Sequence, residues 1–191
     1  MDWVLDTRIL HVGGVGMMNR MDTGRTEEIM AEAKRRGVIT TLDEFASTST
    51  DLPEVERLLP YPDYFIPSEE EARAQSGLHE NIDLAQFLLD RGAACVILTL
   101  GAQGAFYGHR DGTQFQTPSF QVEVKCTCGC SDCFNGGFAT NLHLGLPPPD
   151  CVQLAQASSA QNATGLGSQA GVRDLAHTQE FIARTPHRAK V

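Results

Sequence analysis

Short apolar runs alternate along this chain with stretches whose apolar positions recur at helical spacing. Thr7 to Val12 reads as a buried strand running into Gly13-Gly14. Thr26 to Arg36 reads as a helix with Ile29, Met30 and Ala33 on one face, closed by Gly37. Val38 to Leu42 is β-branched and strand-like and ends at Asp43. Leu52 to Leu59 predicts a short helix stopped by Pro60, and Asp63 to Ile66 a short strand. Ser68 to Gln75 and Asp83 to Arg91 predict two more helices, the second closed by Gly92. Cys95 to Leu100 is the strongest strand signal and ends at Gly101-Ala-Gln-Gly104. Ala105 to Thr117 alternates around Asp111-Gly112, a hairpin turn signal. Phe120 to Val124 is strand-like, and Asp132 to Leu144 predicts a helix. A proline break at 147–149 follows, then a helix from Asp150 to about Asn162. Gly165 to Val191 shows no single period and reads as a mixed stretch, frayed at its basic end.

Strands alternating with helices of these lengths imply βαβ units, an α/β fold and a mostly parallel sheet. In such sheets ligands gather at the carboxyl ends of the strands. Gly13-Gly14, Asp43, Pro67-Ser68, Gly101 and the 126–131 loop all follow predicted strand ends, so one edge collects the candidate chemistry.

Composition narrows the function classes. With 191 residues, 41% hydrophobic and 20% charged, the chain has the make-up of a globular domain. Its net charge of −9 argues against a nucleic-acid partner, which calls for a basic patch, and against adhesion to an anionic membrane. No apolar run is long enough to span a bilayer. The opening Met1-Asp-Trp-Val-Leu-Asp lacks the basic region of a secretory signal. Of the six cysteines, Cys126, Cys128, Cys130 and Cys133 are too crowded for a disulfide framework, which points to a reducing cytoplasm.

The chemistry concentrates where the 120–124 strand signal meets the helix at 132. Small residues fill that connection: Thr127, Gly129, Ser131 and the cysteines. A helix start carries unpaired N–H groups and the positive dipole end, which attract anions. Asp132 beside that site could accept a proton from an attacking hydroxyl. An anion cradle and an oriented nucleophile are what phosphoryl transfer requires. A larger side chain at Gly129 is expected to intrude on the anion while sparing the turn.

The stretch Cys126-Thr127-Cys128-Gly129-Cys130-Ser131-Asp132-Cys133-Phe134-Asn135-Gly136-Gly137-Phe138 resembles the signature of the ribokinase-like (PfkB-type) sugar kinases. That signature is Asp-Thr-x-Gly-Ala-Gly-Asp followed by Ala-Phe-x-x-Gly-Phe. Thr127, Gly129, Asp132, Phe134, Gly137 and Phe138 match in register. Cys126 replaces the first Asp, Cys130 the Ala and Ser131 the second Gly. The resemblance implies a three-layer α/β/α fold and transfer of the ATP γ-phosphoryl group to a sugar hydroxyl. It makes Asp132 the catalytic base and puts Thr127, Gly129, Cys130 and Ser131 around the transferred anion. Thr99-Leu-Gly101-Ala-Gln-Gly104 is similar to the segment that lines the nucleotide phosphates, which adds Thr99, Gly101 and Gly104; from spacing alone it is equally an ordinary tight turn. Asn162, before Ala163-Thr-Gly-Leu-Gly-Ser168, would line the adenine pocket. Pro67-Ser68-Glu69-Glu70-Glu71 is similar to Pro-Asn-x-x-Glu, which makes Glu71 an outer ligand of magnesium through water. The same residues spell a helix capping box, Ser-x-x-Glu. ATP and Mg2+ are the implied cofactors, and the resemblance also allows a monovalent cation and a homodimer.

The similarity runs from about Ile9 to Ser168 and covers only the later part of a complete family member. The sheet is therefore expected to be incomplete on its N-terminal side, without the glycine pair that grips the sugar and the lid over it. Residues 1–168 form the kinase domain in this reading, and 169–191 a C-terminal extension. Three alternatives stay open. They are a nucleoside kinase of the same fold, an inactive fragment, and a thiol metal-binding protein built on the four clustered cysteines. His11, at a predicted strand end, is read first as a structural histidine.

Overall fold

The computed structural model describes residues 2–18, 20–45 and 52–189. Val191 and Lys190, at the end of the expected C-terminal extension, lie outside the described residues. The chain divides into two compact units: Met1–Thr99 with Phe106–Phe115, and Leu100–Ala105 with Gln116–Val191.

The first unit is organised by a six-stranded sheet in the order β1-β2-β3-β4-β5-β6. The strands are β1 (Ile9–Val15), β2 (Ile39–Glu44), β3 (Tyr64–Phe65), β4 (Cys95–Thr99), β5 (Ala105–His109) and β6 (Gln114–Thr117). β1 to β4 pair in parallel, as the alternation of strands and helices requires. Cys95, Val96, Ile97 and Leu98 all have 0% exposure, which is why β4 reads as an unbroken apolar run: a central parallel strand is covered on both faces. β6 alternates exposed and half-buried residues, as an edge strand does.

Helices follow from the apolar stripes. α2 (Thr26–Arg35) buries Met30 and Ala33. Ala33 joins Leu5 and Val38 in one core cluster, with Leu10 and Ile29 packed against it. α3 (Leu52–Leu58) and α5 (Asn81–Asp90) bury Val55 and Leu58, and Leu84, Ala85 and Leu88. Asp2–Leu5 is a short helix, α1. One expectation at the start of the chain is corrected. Gly13 and Gly14 lie within β1 rather than after it; the β1–β2 register shifts between Val12 and Val15, and Gly14 takes φ +78°. An irregularity of this kind needs a residue free of the Cβ penalty, and the glycine pair supplies it.

α4 (Glu69–Ser76) carries the capping box read from the sequence. The Glu71 N–H donates to Ser68 Oγ at 3.2 Å, and the Ser68 N–H and Oγ–H donate to Glu71 Oε2 at 2.8 and 2.6 Å. Partial burial pushes the Glu71 carboxyl above its usual range, with the Ser68 hydrogen bonds opposing.

In the second unit, α6 (Cys130–His143), α7 (Pro148–Ala163) and α8 (Leu175–Arg184) pack in sequence. α6 and α7 approach closely because Gly137 has no side chain: a Cβ there would lie 2.7 Å from Ser158 Oγ and 3.0 Å from Ala155 Cα. α8 covers α7 through Phe181 and Ile182, which pack with Phe120, Ala157 and Ala160. The mixed stretch after Gly165 thus contains a helix. Its signal is diluted by the turns that precede it, but Asp174 caps it, accepting the His177 N–H at 2.8 Å. The strand expected at 120–124 is corrected to one antiparallel bridge, Phe120 with His187. Among the described residues, Gln121 N–H to Pro186 O and Arg188 N–H to Ser119 O, both 2.8 Å, close it.

Two outcomes follow for stability. Gly136→Ala meets no atom within 4 Å, so in a helix interior it should stabilise by about 1 kcal/mol. Gly137→Ala should destabilise by about 1–3 kcal/mol through overpacking. Urea denaturation of the two variants, expected to shift the midpoint in opposite directions, checks the pair. Separately, a carboxyl raised by burial favours folding when protonated, below its ordinary value of 4.5, and loses that contribution as pH rises through its folded value. Glu71→Gln keeps the capping geometry without the buried charge. Thermal melts should show it at least as stable as the parent at neutral pH, with the difference closing as pH falls toward about 4.5.

Candidate functional site

Three sequence-predicted features meet at the carboxyl ends of β3 and β4 in the first unit. Ser68 forms a parallel bridge with Thr99, and the Thr99 N–H donates to Pro67 O at 3.0 Å. Ser68 in turn holds Glu71 through Oε2, leaving Oε1 without a hydrogen bond among the described residues. At the end of β2 the structure adds a residue that the sequence reading passed over. Glu44 is only 4% exposed, and its Oε2 accepts from Gln75 Nε2 of α4 at 2.8 Å. The available signal was an acidic pair, Asp43-Glu44, closing a β-branched run. His11 lies within β1, with Nδ1 2.9 Å from Thr41 Oγ1 on the neighbouring strand, a strand-to-strand tie.

In the second unit, Gly101 and Gly104 bracket a tight turn of 3-10 geometry, Gly101–Gln103. Leu100 N–H donates to Gly104 O at 2.8 Å, and Gly104 N–H to Gly101 O at 3.2 Å. Gly104 takes φ +103°, and a Cβ there would fall 1.8 Å from Thr117 O. The turn itself therefore demands that glycine, whatever else the segment does.

The cysteine-rich loop leads into α6, whose N-cap is Gly129 at φ +74°. The helix starts at Cys130, so Asp132 sits inside the first turn rather than at its opening. Cys130 N–H is held by Thr127 O at 3.1 Å. The N–H groups of Gly129, Ser131 and Asp132 have no acceptor among the described residues and form the exposed anion-attracting end of the helix. Ser131, where the resemblance expects glycine, has a helical backbone and an exposed side chain; the fold does not require a glycine there. Gly129 is different. A Cβ on it would lie 2.6 Å from both the Cβ and the carbonyl oxygen of Ser168. The expectation that a larger residue at 129 spares the turn is corrected: the 165–170 segment is already packed against it.

Asn162, expected to line an adenine pocket, is fully buried at 0% exposure. Its Nδ2 donates to Cys128 O at 2.7 Å and to Cys130 Sγ at 3.4 Å, while Oδ1 accepts from the Ala170 N–H at 3.1 Å. Both amide hydrogens are committed to the protein and tie the loop to α7. The clustered thiols point apart: Cys130 toward Ser159 O at 3.6 Å and Cys133 toward Ser168 O at 3.4 Å. Among the described residues no three His, Cys, Asp or Glu side chains converge as a metal site.

Asp132 is exposed and carries no hydrogen bond or ion pair among the described residues. It borders a cavity of about 450 Å³ that is also lined by Gly136, Thr140, Ser158, Arg173 and Thr178. That volume falls within the range of small-molecule sites. The arrangement joins an unpartnered carboxylate, free backbone donors and open space, and it can hold an anion while taking a proton from a neighbouring hydroxyl.

Known proteins share this arrangement of elements. Ribokinase from Haemophilus influenzae is 29% identical over 155 residues, 78% of this chain and 49% of the relative. Deoxyribokinase from Salmonella typhi is 28% identical over 126 residues, 63% of this chain and 41% of the relative. The crystal structure of ribokinase II from E. coli in complex with ATP and Mg2+ superposes with a TM-score of 0.83 at 25% identity, covering 96% of this chain and 61% of that one. The fold is ribokinase-like α/β, and the chain spans about half the length, or less, of these two curated relatives. No described helix is long and apolar enough to cross a membrane. The family description "pfkB family carbohydrate kinase" matches residues 1–175, nearly the whole sequence, and this chain belongs to that family.

Proposed function

We propose that the chain is the nucleotide-binding and catalytic part of an ATP-dependent carbohydrate kinase, acting on a sugar hydroxyl. The observation that carries the reading is Asp132, an unpartnered carboxylate in the first turn of α6 beside the free N–H groups of Gly129 and Ser131. The relatives named ribokinase and deoxyribokinase support a pentose as the acceptor.

The roles follow from the geometry of each residue. Asp132 takes the proton of the acceptor hydroxyl as the new P–O bond forms. The N–H groups of Gly129, Ser131 and Asp132 attract the transferred phosphoryl oxygens, with Thr127 and Cys130 setting the loop that presents them. Thr99, Gly101 and Gly104 bring the backbone of a tight turn to the remaining nucleotide phosphates. Asn162 acts through the loop it clamps. The residues also fit a hydrated magnesium ion: Glu71 commits Oε2 to Ser68 and leaves Oε1 for a metal-bound water. Magnesium bound with the nucleotide supplies charge neutralisation on its phosphates. The free thiols suit a reducing cytoplasm.

The test is Asp132→Asn in a form of the enzyme that phosphorylates a sugar. General-base help is worth about 10²–10⁴ in rate. Steady-state kinetics should show kcat falling by that order, with ATP affinity by calorimetry and the melting temperature nearly unchanged. A variant that keeps the parent's kcat would leave Asp132 as no more than a helix-start acid and remove the reading.

A further inference from the structure

We propose that Arg173 is a further catalytic residue: its guanidinium grips the phosphoryl group as that group passes to the hydroxyl beside Asp132. This rests on Asp132 acting as the base of a kinase, as proposed, and adds the cationic side chain that lines the Asp132 cavity.

Two opposite charges share that cavity of about 450 Å³ and do not meet. Asp132 borders it from the first turn of α6, and Arg173 from the segment before α8. Neither side chain makes an ion pair or hydrogen bond among the described residues. Elsewhere Arg36, Arg73 and Arg91 each close on a carboxylate at 2.6 to 2.7 Å. An arginine and an aspartate that border one space without pairing leave room for a group between them. What fits is a ligand that accepts from the guanidinium and offers a hydroxyl proton to the carboxylate. A phosphoryl group next to a sugar hydroxyl has both properties.

The backbone around Arg173 is fixed while its head is free. Gly171 packs on the end of α7, where a Cβ would run into the Gln161 carbonyl oxygen. Asp174, the next residue, caps α8: its Oδ1 accepts the His177 N–H at 2.8 Å, and its carbonyl oxygen the Thr178 N–H at 3.1 Å. Only the rotamers of the side chain are left to order when an anion arrives. Two hydroxyls in the same walls already donate inward, Thr140 Oγ1 to Gly136 O at 2.8 Å and Ser158 Oγ to Leu154 O at 3.0 Å. The guanidinium is the charged donor left to the cavity.

Folding gives no reason for a cation here. Arg173 immediately precedes the N-cap of α8, beside the positive end of the helix dipole, where a positive charge is disfavoured. It pairs with neither Asp174 nor Asp132 to offset that cost. A bound anion offsets it.

The step balances. The acceptor O–H gives its proton to Asp132, and the oxygen lone pair forms the new bond to the γ-phosphorus of ATP. The bond from that phosphorus to its bridging oxygen breaks, and the electron pair leaves with ADP. Arg173 donates N–H bonds to the phosphoryl oxygens throughout and transfers no proton.

Calorimetry of the 191-residue chain with inorganic pyrophosphate needs neither sugar nor turnover. The parent should bind it, and Arg173→Gln should bind it about tenfold to a hundredfold more weakly. Arg173→Lys should fall between them, since it keeps the charge and loses the fork. Arg188→Gln, which removes the same charge outside the cavity, should bind as the parent does. The melting temperature of Arg173→Gln should not fall, whereas loss of a structural arginine would lower it. In a form of the enzyme that phosphorylates a sugar, Arg173→Gln should cut kcat by about 10²–10³, and added guanidinium ion should restore part of it. If no form phosphorylates a sugar, the kinase reading falls, and the pyrophosphate result still decides whether Arg173 grips an anion. The inference is overturned if the parent binds no pyrophosphate, if Arg173→Gln binds it as the parent does, if Arg188→Gln loses as much, or if Arg173→Gln keeps the parent's kcat.

Discussion

The second unit depends on one buried amide. Asn162 is sealed from solvent, and its three hydrogen bonds join the loop before α6, the first residue of α6 and the segment after α7. Left unmade in a buried setting, such bonds would cost about 1–3 kcal/mol each. The position of the α6 N-terminus, and with it every backbone donor exposed there, is therefore set from behind by this buried residue. Gly129 completes the constraint from the other side, because the 165–170 segment occupies the space a side chain would need.

Much of this was legible from residue types. The parallel sheet followed from strands alternating with helices, β4 from its unbroken apolar run, and the α4 start from Ser-x-x-Glu. Asp132 and its loop stand out as candidates because small residues before a helix and an acid in its first turn have a clear physical use. What stayed hidden was long-range. Nothing local in Asn162 distinguishes a residue that lines a pocket from one that bonds to Cys128 and Ala170. The buried Glu44 depends on Gln75, distant in sequence and on another element. The 120–124 stretch has the composition of a strand, but whether it becomes one depends on a distant partner, and here it meets a single residue, His187, in one bridge.

The cysteines show how a degraded signature can keep its shape. Cys126 does with sulfur what a carboxylate does in the same turn, accepting the N–H of Cys128. Cys130 is small enough to sit under Asn162, and Ser131 stands on ordinary helical backbone. Each departure alters the chemistry available there while still making a contact the loop or the start of α6 can use.

The bridge between 119–121 and 186–188 has a topological meaning. It fastens two segments that flank α6, α7 and α8, so these helices lie inside one closed loop of chain. Closing a loop of that length is an entropic cost met once, by the Phe120–Phe181 and Phe120–His187 ring contacts and the two backbone hydrogen bonds at the seam. The seam acts as a non-covalent cross-link: trimming the chain back past Pro186 would release the loop without touching any residue of the site, and the helices would then have to hold their arrangement by packing alone.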